Sequence, residues 1–249
     1  GIRPTHPAPT PYSGELGHVA RHVDPRVMDD LLHFMSKFLQ LVLGAGIAGI
    51  CVARVLSRYF AQVLILERDE LSDGDQPRRG VPQSMQPHGL LPNGRACLEQ
   101  LFPGFLPTLL GRGACRWDLT DESARFTPHG WAIRRRLGFE GLGSSRPLQE
   151  SVLRELLCTQ TSNVELLPGT KVTGLLVEEG TPARVVGVLA EGAAKRPCEL
   201  RAELVVDAMG RGSRVLAWLE KKGIAAPEIR TVDARCSYAT RHFRKPAVS

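Results

Sequence analysis

The sequence predicts an α/β fold in which a βαβ unit is joined to an inserted antiparallel β-meander. Three observations carry this prediction. The apolar run FLQLVL (38–43) is typical of a strand that is buried on both faces. A glycine-rich turn and an amphipathic segment follow it, and a second apolar run, QVLILE (62–67), comes next. The later apolar runs between residues 163 and 210 are separated by Gly/Pro turns, as successive strands are.

The turn after the first strand has the pattern GxGxxG, formed by Gly44, Gly46 and Gly49. In such a turn the first glycine permits the tight bend, the second lets the backbone approach a pyrophosphate, and the third lets the helix lie close to the sheet. The following helix N-terminus offers N–H groups and a partial positive charge to phosphates. The pattern therefore predicts a dinucleotide site lined by Gly44, Ala45, Gly46, Ile47, Ala48 and Gly49.

An acidic residue, Glu67, ends the second strand. It lies about 20 residues after the turn, where a carboxylate accepts hydrogen bonds from a ribose 2′-OH. Because an acid there repels a 2′-phosphate, it argues against NADP at this site. The helix between the strands is expected to expose Arg54 and Arg58. Its expected core face consists of Ile50, Val52, Val55 and Leu56.

The middle of the chain predicts a long loop and two helical regions. Residues 73–94 are rich in Pro, Gly, Arg and Gln, which is typical of a functional loop. Residues 98–110 predict a helix that is broken at Pro103 and Pro107. Residues 117–139 predict short strands, with Arg134–Arg136 at a solvated strand end. A helix is expected from Pro147, with one apolar face formed by Leu148, Val152, Leu156 and Leu157.

Four strand candidates follow, of which three predict the meander and the last, AELVVDA (202–208), is apolar enough to be buried. A short helix closed by Gly223 comes next, and residues 233–244 alternate like the first strand of another sheet. At the other end, residues 1–17 are Pro-rich and are expected to be disordered or loosely attached. Residues 27–39 predict an amphipathic helix that packs on the domain or binds a partner.

Composition excludes several classes of function. The net charge of +6 is mild and spread along the chain, which argues against a dedicated nucleic-acid binder. No window approaches the roughly 18–20 apolar residues of a membrane span. The six scattered cysteines include no close pair, so they predict neither a disulfide framework nor a metal site, and they favour a cytoplasmic location. No residue set indicates nucleophilic catalysis.

Four segments in order carry a resemblance to a known family: ERDE (67–70), RRGVPQSMQPHGLLPNGRACLEQLFPG (78–104), SRPLQESVLR (145–154) and LVVDAMGRGSRVLAWL (204–219). They resemble FAD-dependent oxidoreductases with the glutathione-reductase-type fold, and among these the class A flavin hydroxylases. The resemblance covers about residues 38–245 and implies a Rossmann-like FAD-binding domain. Met85, Gln86 and Met209 depart from the family pattern, so a cationic contact and a polar contact are in doubt.

The resemblance also implies roles for individual residues. Arg68, Arg146, Val172, Gly210 and Ser213 would join the glycine turn and Glu67 in binding FAD. For Arg146 the alternative is a surface arginine, and for Ser213 it is helix capping alone. His88 is the candidate for proton movement beside the flavin or substrate, and a purely structural hydrogen bond is its alternative.

As a function, the resemblance implies a monooxygenase in which flavin, reduced by NADH or NADPH, activates O2 to hydroxylate or epoxidise a small organic substrate. The expected domains are a partly disordered extension (1–35), an FAD-binding domain (36–232) with a loop and helical insertion (73–145), and the start of a truncated substrate-domain sheet (233–249). No GD motif follows Gly210. Alternatives are therefore a truncated non-catalytic remnant, a superfamily reductase or halogenase, and an NAD-dependent dehydrogenase, which the meander disfavours.

Overall fold

The computed structural model describes residues 39–71, 76–192, 196–237, 239–241 and 243. The predicted Pro-rich tail and nearly all of the predicted helix over 27–39 lie outside these residues. The strands are β1 Leu39–Leu43, β2 Gln62–Leu66, β3 Pro87–Leu90, β4 Cys115–Asp118, β5 Phe126–Thr127, β6 Gly130–Trp131, β7 Glu140–Ser145, β8 Val164–Leu167, β9 Lys171–Glu178, β10 Arg184–Glu191, β11 Pro197–Arg201 and β12 Leu204–Asp207. The α-helices are α1 Ile47–Leu56, α2 Pro92–Leu101, α3 Phe105–Gly111, α4 Arg146–Gln160 and α5 Val215–Lys221.

A parallel sheet with the strand order β12-β1-β2-β8 is the centre of the fold. In β1 and β2 every residue after the first is buried, which confirms the prediction of two buried strands. The prediction that the run 202–208 is buried is wrong for β12, where Leu204 is 39% exposed. Within the described residues β12 pairs only with β1, and an edge strand keeps part of its surface in solvent.

The two faces of this sheet pack against different layers. On one face, the antiparallel meander β9-β10-β11 and α5 cover the sheet. Their shared core consists of Leu41, Leu43, Leu64, Leu66, Leu175, Val188, Ala202 and Trp218. On the other face, Val42, Val63 and Ile65 pack against the buried sides of α1 to α4. A parallel sheet covered on both faces, with an inserted meander, confirms the predicted fold class.

Helix α1 lies deeper than its sequence pattern predicts. Its buried residues are Gly49, Ile50 and Ala53, whereas Val55 is 40% exposed, so part of the predicted core face is wrong. Arg54 is half-buried rather than fully exposed. It donates to the carbonyl oxygens of Leu101 (2.9 Å) and Gln160 (3.1 Å). Burial, and then the charge of Arg58, lower the pKa of Arg54. The carbonyls come from the ends of α2 and α4, which the pattern of α1 alone does not reveal.

The stretch 73–94 contains more structure than the predicted loop. It includes a 3₁₀ turn at Pro82–Met85 and strand β3, which belongs to a small antiparallel sheet of order β3-β7-β4. The helix break falls at residues 102–104, but Pro107 lies inside the first turn of α3, where no intrahelical donor is lost. The predicted apolar face of α4 is confirmed, and Ser145 Oγ caps this helix by accepting from Leu148 N at 3.2 Å.

Two further predictions fare differently. The short helix that Gly223 closes is confirmed as α5, and Gly223 has the positive φ of +72° that favours glycine. The predicted strand over 233–244 is wrong for its described part: residues 233–237, 239–241 and 243 form no strand and are exposed. Alternation alone does not make a strand, because a strand also needs a neighbour that pairs with its backbone.

Candidate functional site

The first glycine of the turn lies against the end of another strand. Gly44 has a φ of +100° and donates from its N–H to Leu66 O at 2.8 Å. A Cβ at Gly44 would stand 2.9 Å from the carbonyl oxygen of Ala208, directly after β12. Because both the positive φ and this contact exclude a side chain, the turn, β2 and the end of β12 meet at one point.

The other two glycines have opposite surroundings. A Cβ at Gly49 would stand 1.9 Å from Gly44 O, so α1 rests directly on the turn. A Cβ at Gly46 would find only Arg78 Nη2 within 4 Å among the described atoms, at 3.9 Å, so its outer side is open. Gly46 is the N-cap of α1, and the first turn of this helix carries no acidic residue. The turn is therefore closed towards the protein and open at the helix N-terminus, which suits an anionic ligand.

Glu67 is directed at this turn. It is 5% exposed, and its Oε2 accepts a hydrogen bond from Ala45 N at 2.8 Å, while Oε1 accepts from Asp69 N at 3.0 Å. The structure thus brings together the two features that the sequence assigned to one site. The neighbouring Arg68 is largely exposed, with Nε 3.7 Å from Asp69 Oδ1.

An arginine that the sequence analysis did not single out joins this carboxylate. Arg78 Nη1 lies 3.0 Å from Glu67 Oε2 and 3.3 Å from Asp69 Oδ2, and its side chain is only 12% exposed. Burial opposes its charge, but Glu150, Glu67 and Asp69 outweigh burial and raise the pKa of Arg78. Asp69 Oδ2 also accepts from Gly80 N at 2.7 Å, which ties the loop to the site. The only sequence signal was the loop motif RRG, which does not reveal these partners.

Helix α4 supplies the opposite side of the cluster. Glu150 is 2% exposed, and its Oε2 accepts a hydrogen bond from Arg78 Nε at 3.0 Å and forms an ion pair with Arg78 Nη2 at the same distance. Its Oε1 accepts from Arg146 Nε at 2.8 Å. Arg154 Nη1 lies 3.9 Å from Oε2 of Glu150. Burial is the main cause that lowers the pKa of Arg154. A cleft borders this cluster and is lined in part by Gln76, Arg78, Ser84, Arg146, Glu150 and Arg154.

Three further predicted cofactor-binding residues, Val172, Gly210 and Ser213, lie on or after strands β9 and β12. Thr170 N donates to Glu67 O at 2.8 Å, which places the start of β9, with Val172, beside the end of β2. Gly210 has a φ of +64° and, among the described atoms, no neighbour within 4 Å of a Cβ. Ser213 Oγ donates to Asp207 Oδ2 and accepts from Val215 N, the first N–H of α5, at 3.2 Å, although the N-cap position itself is Arg214.

His88 lies on β3, and its Nδ1 is 2.8 Å from the carbonyl oxygen of Gln86. This contact matches the structural hydrogen bond that was the alternative for His88. In the described part of the chain, no group of three His, Cys, Asp or Glu side chains is arranged to hold a metal ion. Over the same residues, no helix is both long and apolar enough to cross a membrane.

Most of the described chain is similar to known proteins. Residues 41–218 match the family model described as FAD dependent oxidoreductase. Protein Rv3254 of Mycobacterium tuberculosis is 36% identical in an alignment of 218 positions, which covers 83% of this chain and 45% of that protein. The 6-methylpretetramide 4-monooxygenase of Streptomyces rimosus is 34% identical in an alignment of 178 positions, which covers 70% of this chain and 38% of that protein.

A solved structure shows the same fold. The crystal structure of p-nitrophenol 4-monooxygenase from Pseudomonas putida matches with a TM-score of 0.54 and 20% identity, over 72% of this chain and 42% of the other. At this identity the likeness extends to the fold alone. The chain spans less than half the length of the two curated relatives that it matches.

Proposed function

The chain belongs to the family of FAD-dependent oxidoreductases, and from this premise we propose that it binds FAD at the glycine turn between β1 and α1. One observation carries the proposal. A Cβ at Gly44 or at Gly49 would stand only 2.9 or 1.9 Å from a backbone oxygen, whereas the side of Gly46 that faces away from the protein is open. This pattern is the one expected where backbone N–H groups must approach a pyrophosphate.

In this proposal the diphosphate lies against Gly46 and the N-terminus of α1. The adenosine ribose then lies at Glu67, whose carboxylate is already fixed to the turn by the hydrogen bond from Ala45 N. Arg78 contributes a guanidinium on the open side of Gly46. Arg146 points at Glu150 rather than at the turn, so its part is to hold the cluster together.

We propose monooxygenase chemistry for the whole protein. The support is the 34% identity to a relative whose name is 6-methylpretetramide 4-monooxygenase. Bound FAD would supply two-electron chemistry with a nicotinamide reductant and would activate O2 toward a small organic substrate. The residues described above bind and orient the cofactor, and a buried, paired cluster keeps water away from the adenosine end. Oxygenation, substrate and reductant remain proposals, because the match spans under half of each curated relative.

The first experiment is a titration of the purified chain with FAD, followed by gel filtration to separate free from bound cofactor. We expect one FAD to elute with each chain and to show the visible absorbance of a bound flavin. Protein that takes up no FAD would overturn the proposed site. In a second step, anaerobic NADH or NADPH is added, and bleaching of the bound flavin is expected. FAD that stays oxidised with both nucleotides would overturn the proposed reductant and leave the FAD site standing.

A further inference from the structure

The carboxylate of Glu67 is nearly saturated with hydrogen bonds. A carboxylate offers roughly four acceptor positions. Oε1 accepts from Asp69 N, and Oε2 accepts from Ala45 N and contacts Arg78 Nη1 at 3.0 Å. A ribose that donates both of its hydroxyls needs two positions, so one present partner must leave. The donors of Ala45 and Asp69 belong to the main chain of the turn and of the β2 end, and Arg78 is the one side-chain partner of Glu67 in the described structure.

Arg78 has a second anchor that survives this exchange. Its Nε and Nη2 both lie 3.0 Å from Oε2 of Glu150. Because the guanidinium is planar and rigid, Nη1 leaves its partners Glu67 and Asp69 only when the whole group turns about this oxygen. Glu150 is 2% exposed, lies on the buried face of α4 and is held from its other oxygen by Arg146. The buried carboxylate therefore gives the guanidinium a fixed pivot.

The same guanidinium faces the open side of the turn. Nη2 of Arg78 is the described atom that comes within 4 Å of a Cβ position at Gly46, at 3.9 Å. A diphosphate bound against Gly46 would thus lie beside Arg78. A buried, ionised Glu67 without a partner would be costly, which explains why Arg78 covers it when no ribose is present.

We propose that Arg78 is an exchangeable latch on Glu67, with Glu150 as its positioning residue. Without a dinucleotide, Nη1 of Arg78 pairs with Glu67 and blocks the ribose position. When a dinucleotide binds, the guanidinium turns as one rigid unit about Oε2 of Glu150, Nη1 moves from Glu67 and Asp69 to a phosphate oxygen, and Glu67 accepts the ribose hydroxyls. No bond is made or broken covalently. This inference rests on the proposed FAD site.

The test is a double-mutant cycle of Glu67→Gln and Arg78→Gln, read by calorimetric titration with ADP and with 2′,3′-dideoxy-ADP. ADP contains the ribose hydroxyls and the diphosphate, whereas the dideoxy probe lacks only the two ribose hydroxyls and keeps the adenine, the sugar ring and the diphosphate. With Arg78 present, we expect Glu67→Gln to weaken ADP about tenfold or more, because a charged acceptor of the ribose is lost. We expect the same change to tighten the dideoxy probe about threefold, because the competitor for Arg78 is gone.

The second background separates the latch from simple charge removal. In the Arg78→Gln protein, Glu67→Gln should leave the affinity for the dideoxy probe unchanged. An equal tightening in both backgrounds would mean that Glu67 acts by its charge alone, and it would overturn the latch. Should Arg78→Gln fail to fold, Arg78→Lys serves instead, since an ammonium cannot keep the paired contacts with Glu67 and Glu150.

Glu150 is tested with a matched control on the same helix. Glu150→Gln should weaken ADP and the dideoxy probe by the same factor, about tenfold, because the pivot serves the diphosphate. Glu155→Gln removes an exposed carboxylate of α4 that pairs with Arg112, and it should change neither affinity. Equal affinities in the Glu150→Gln and parent proteins would overturn the proposed role of Glu150.

The outcomes also distinguish the FAD site from the latch. If the parent protein binds neither FAD nor ADP, both proposals are wrong. If it binds FAD but the double-mutant cycle shows no coupling between Glu67 and Arg78, only the latch is wrong.

Discussion

The carboxylate of Glu67 accepts a hydrogen bond from the main-chain N–H of Ala45 at 2.8 Å, and this bond joins the end of β2 to the glycine turn after β1. The two segments lie far apart in the chain, but the parallel pairing of β1 and β2 brings their carboxyl ends to the same edge of the sheet. The residues that we propose for the ribose and for the diphosphate thus belong to one hydrogen-bonded βαβ unit. The predictions below test this unit and the helices that support it.

Gly49→Ala is expected to destabilise the fold. Its methyl group would stand 1.9 Å from Gly44 O, and backbone on both sides cannot move apart without breaking the turn. We expect a loss of about 2–4 kcal/mol in the free energy of unfolding, measured by urea denaturation. Gly111→Ala is the control, because no described atom lies within 4 Å of its Cβ position. Equal stability of the two variants would contradict the close approach of α1 to the turn.

Gly46→Val is expected to separate folding from binding. The new side chain has open space in the protein, so the melting temperature should stay within a few degrees of the parent. It fills the space where the diphosphate is proposed to lie, so FAD affinity should fall at least about a hundredfold. Calorimetric titration measures the affinity, and Gly111→Val is the control. Unchanged FAD affinity in Gly46→Val would rule out this turn as the diphosphate site.

Arg54→Ala is expected to loosen the contact of α1 with α2 and α4. The change removes hydrogen bonds to Leu101 O and Gln160 O and leaves both carbonyl oxygens without this donor. We expect a loss of about 1–3 kcal/mol in the free energy of unfolding, because partly buried acceptors lose a charged donor. Arg58→Ala, at an exposed position in the turn after α1, should change it by less than about 0.5 kcal/mol. Similar losses in both variants would contradict the structural role of Arg54.

The loop between β4 and β7 is expected to weaken in acid. Hydrogen bonds from the hydroxyl and N–H of Thr120, and from the N–H groups of Asp121 and Gly138, lower the pKa of Asp118. A lowered pKa means that the stabilisation is present above the ordinary aspartate value of about 3.9 and is lost as the pH falls through the lower, folded-state pKa. The difference in melting temperature between the parent and Asp118→Asn should therefore be constant near neutral pH and shrink below about pH 4. Melting curves that stay parallel down to pH 2 would contradict this.

Local patterns in the sequence were sufficient for much of the site. The glycine turn, the acid at the end of the next strand and the apolar face of α4 were each visible within a short stretch, because each depends on the conformation of neighbouring residues. The burial of Val55 and the interruption at Pro107 were predicted wrongly. Periodicity does not show which flank of a helix is covered, and a proline in the first helical turn costs no hydrogen bond.

The sequence by itself determined the βαβ unit and its glycine turn, since backbone strain at Gly44 and the contact at Gly49 admit only glycine. Only the tertiary structure decided what surrounds the turn. Arg78 and Glu150 are 72 residues apart in the chain, and their pairing depends on how α4 packs against the β1–β2 unit. A buried charge needs a partner of opposite charge, and this partner can come from any segment that the fold brings near. The spacing of residues in the sequence does not show which segment that is.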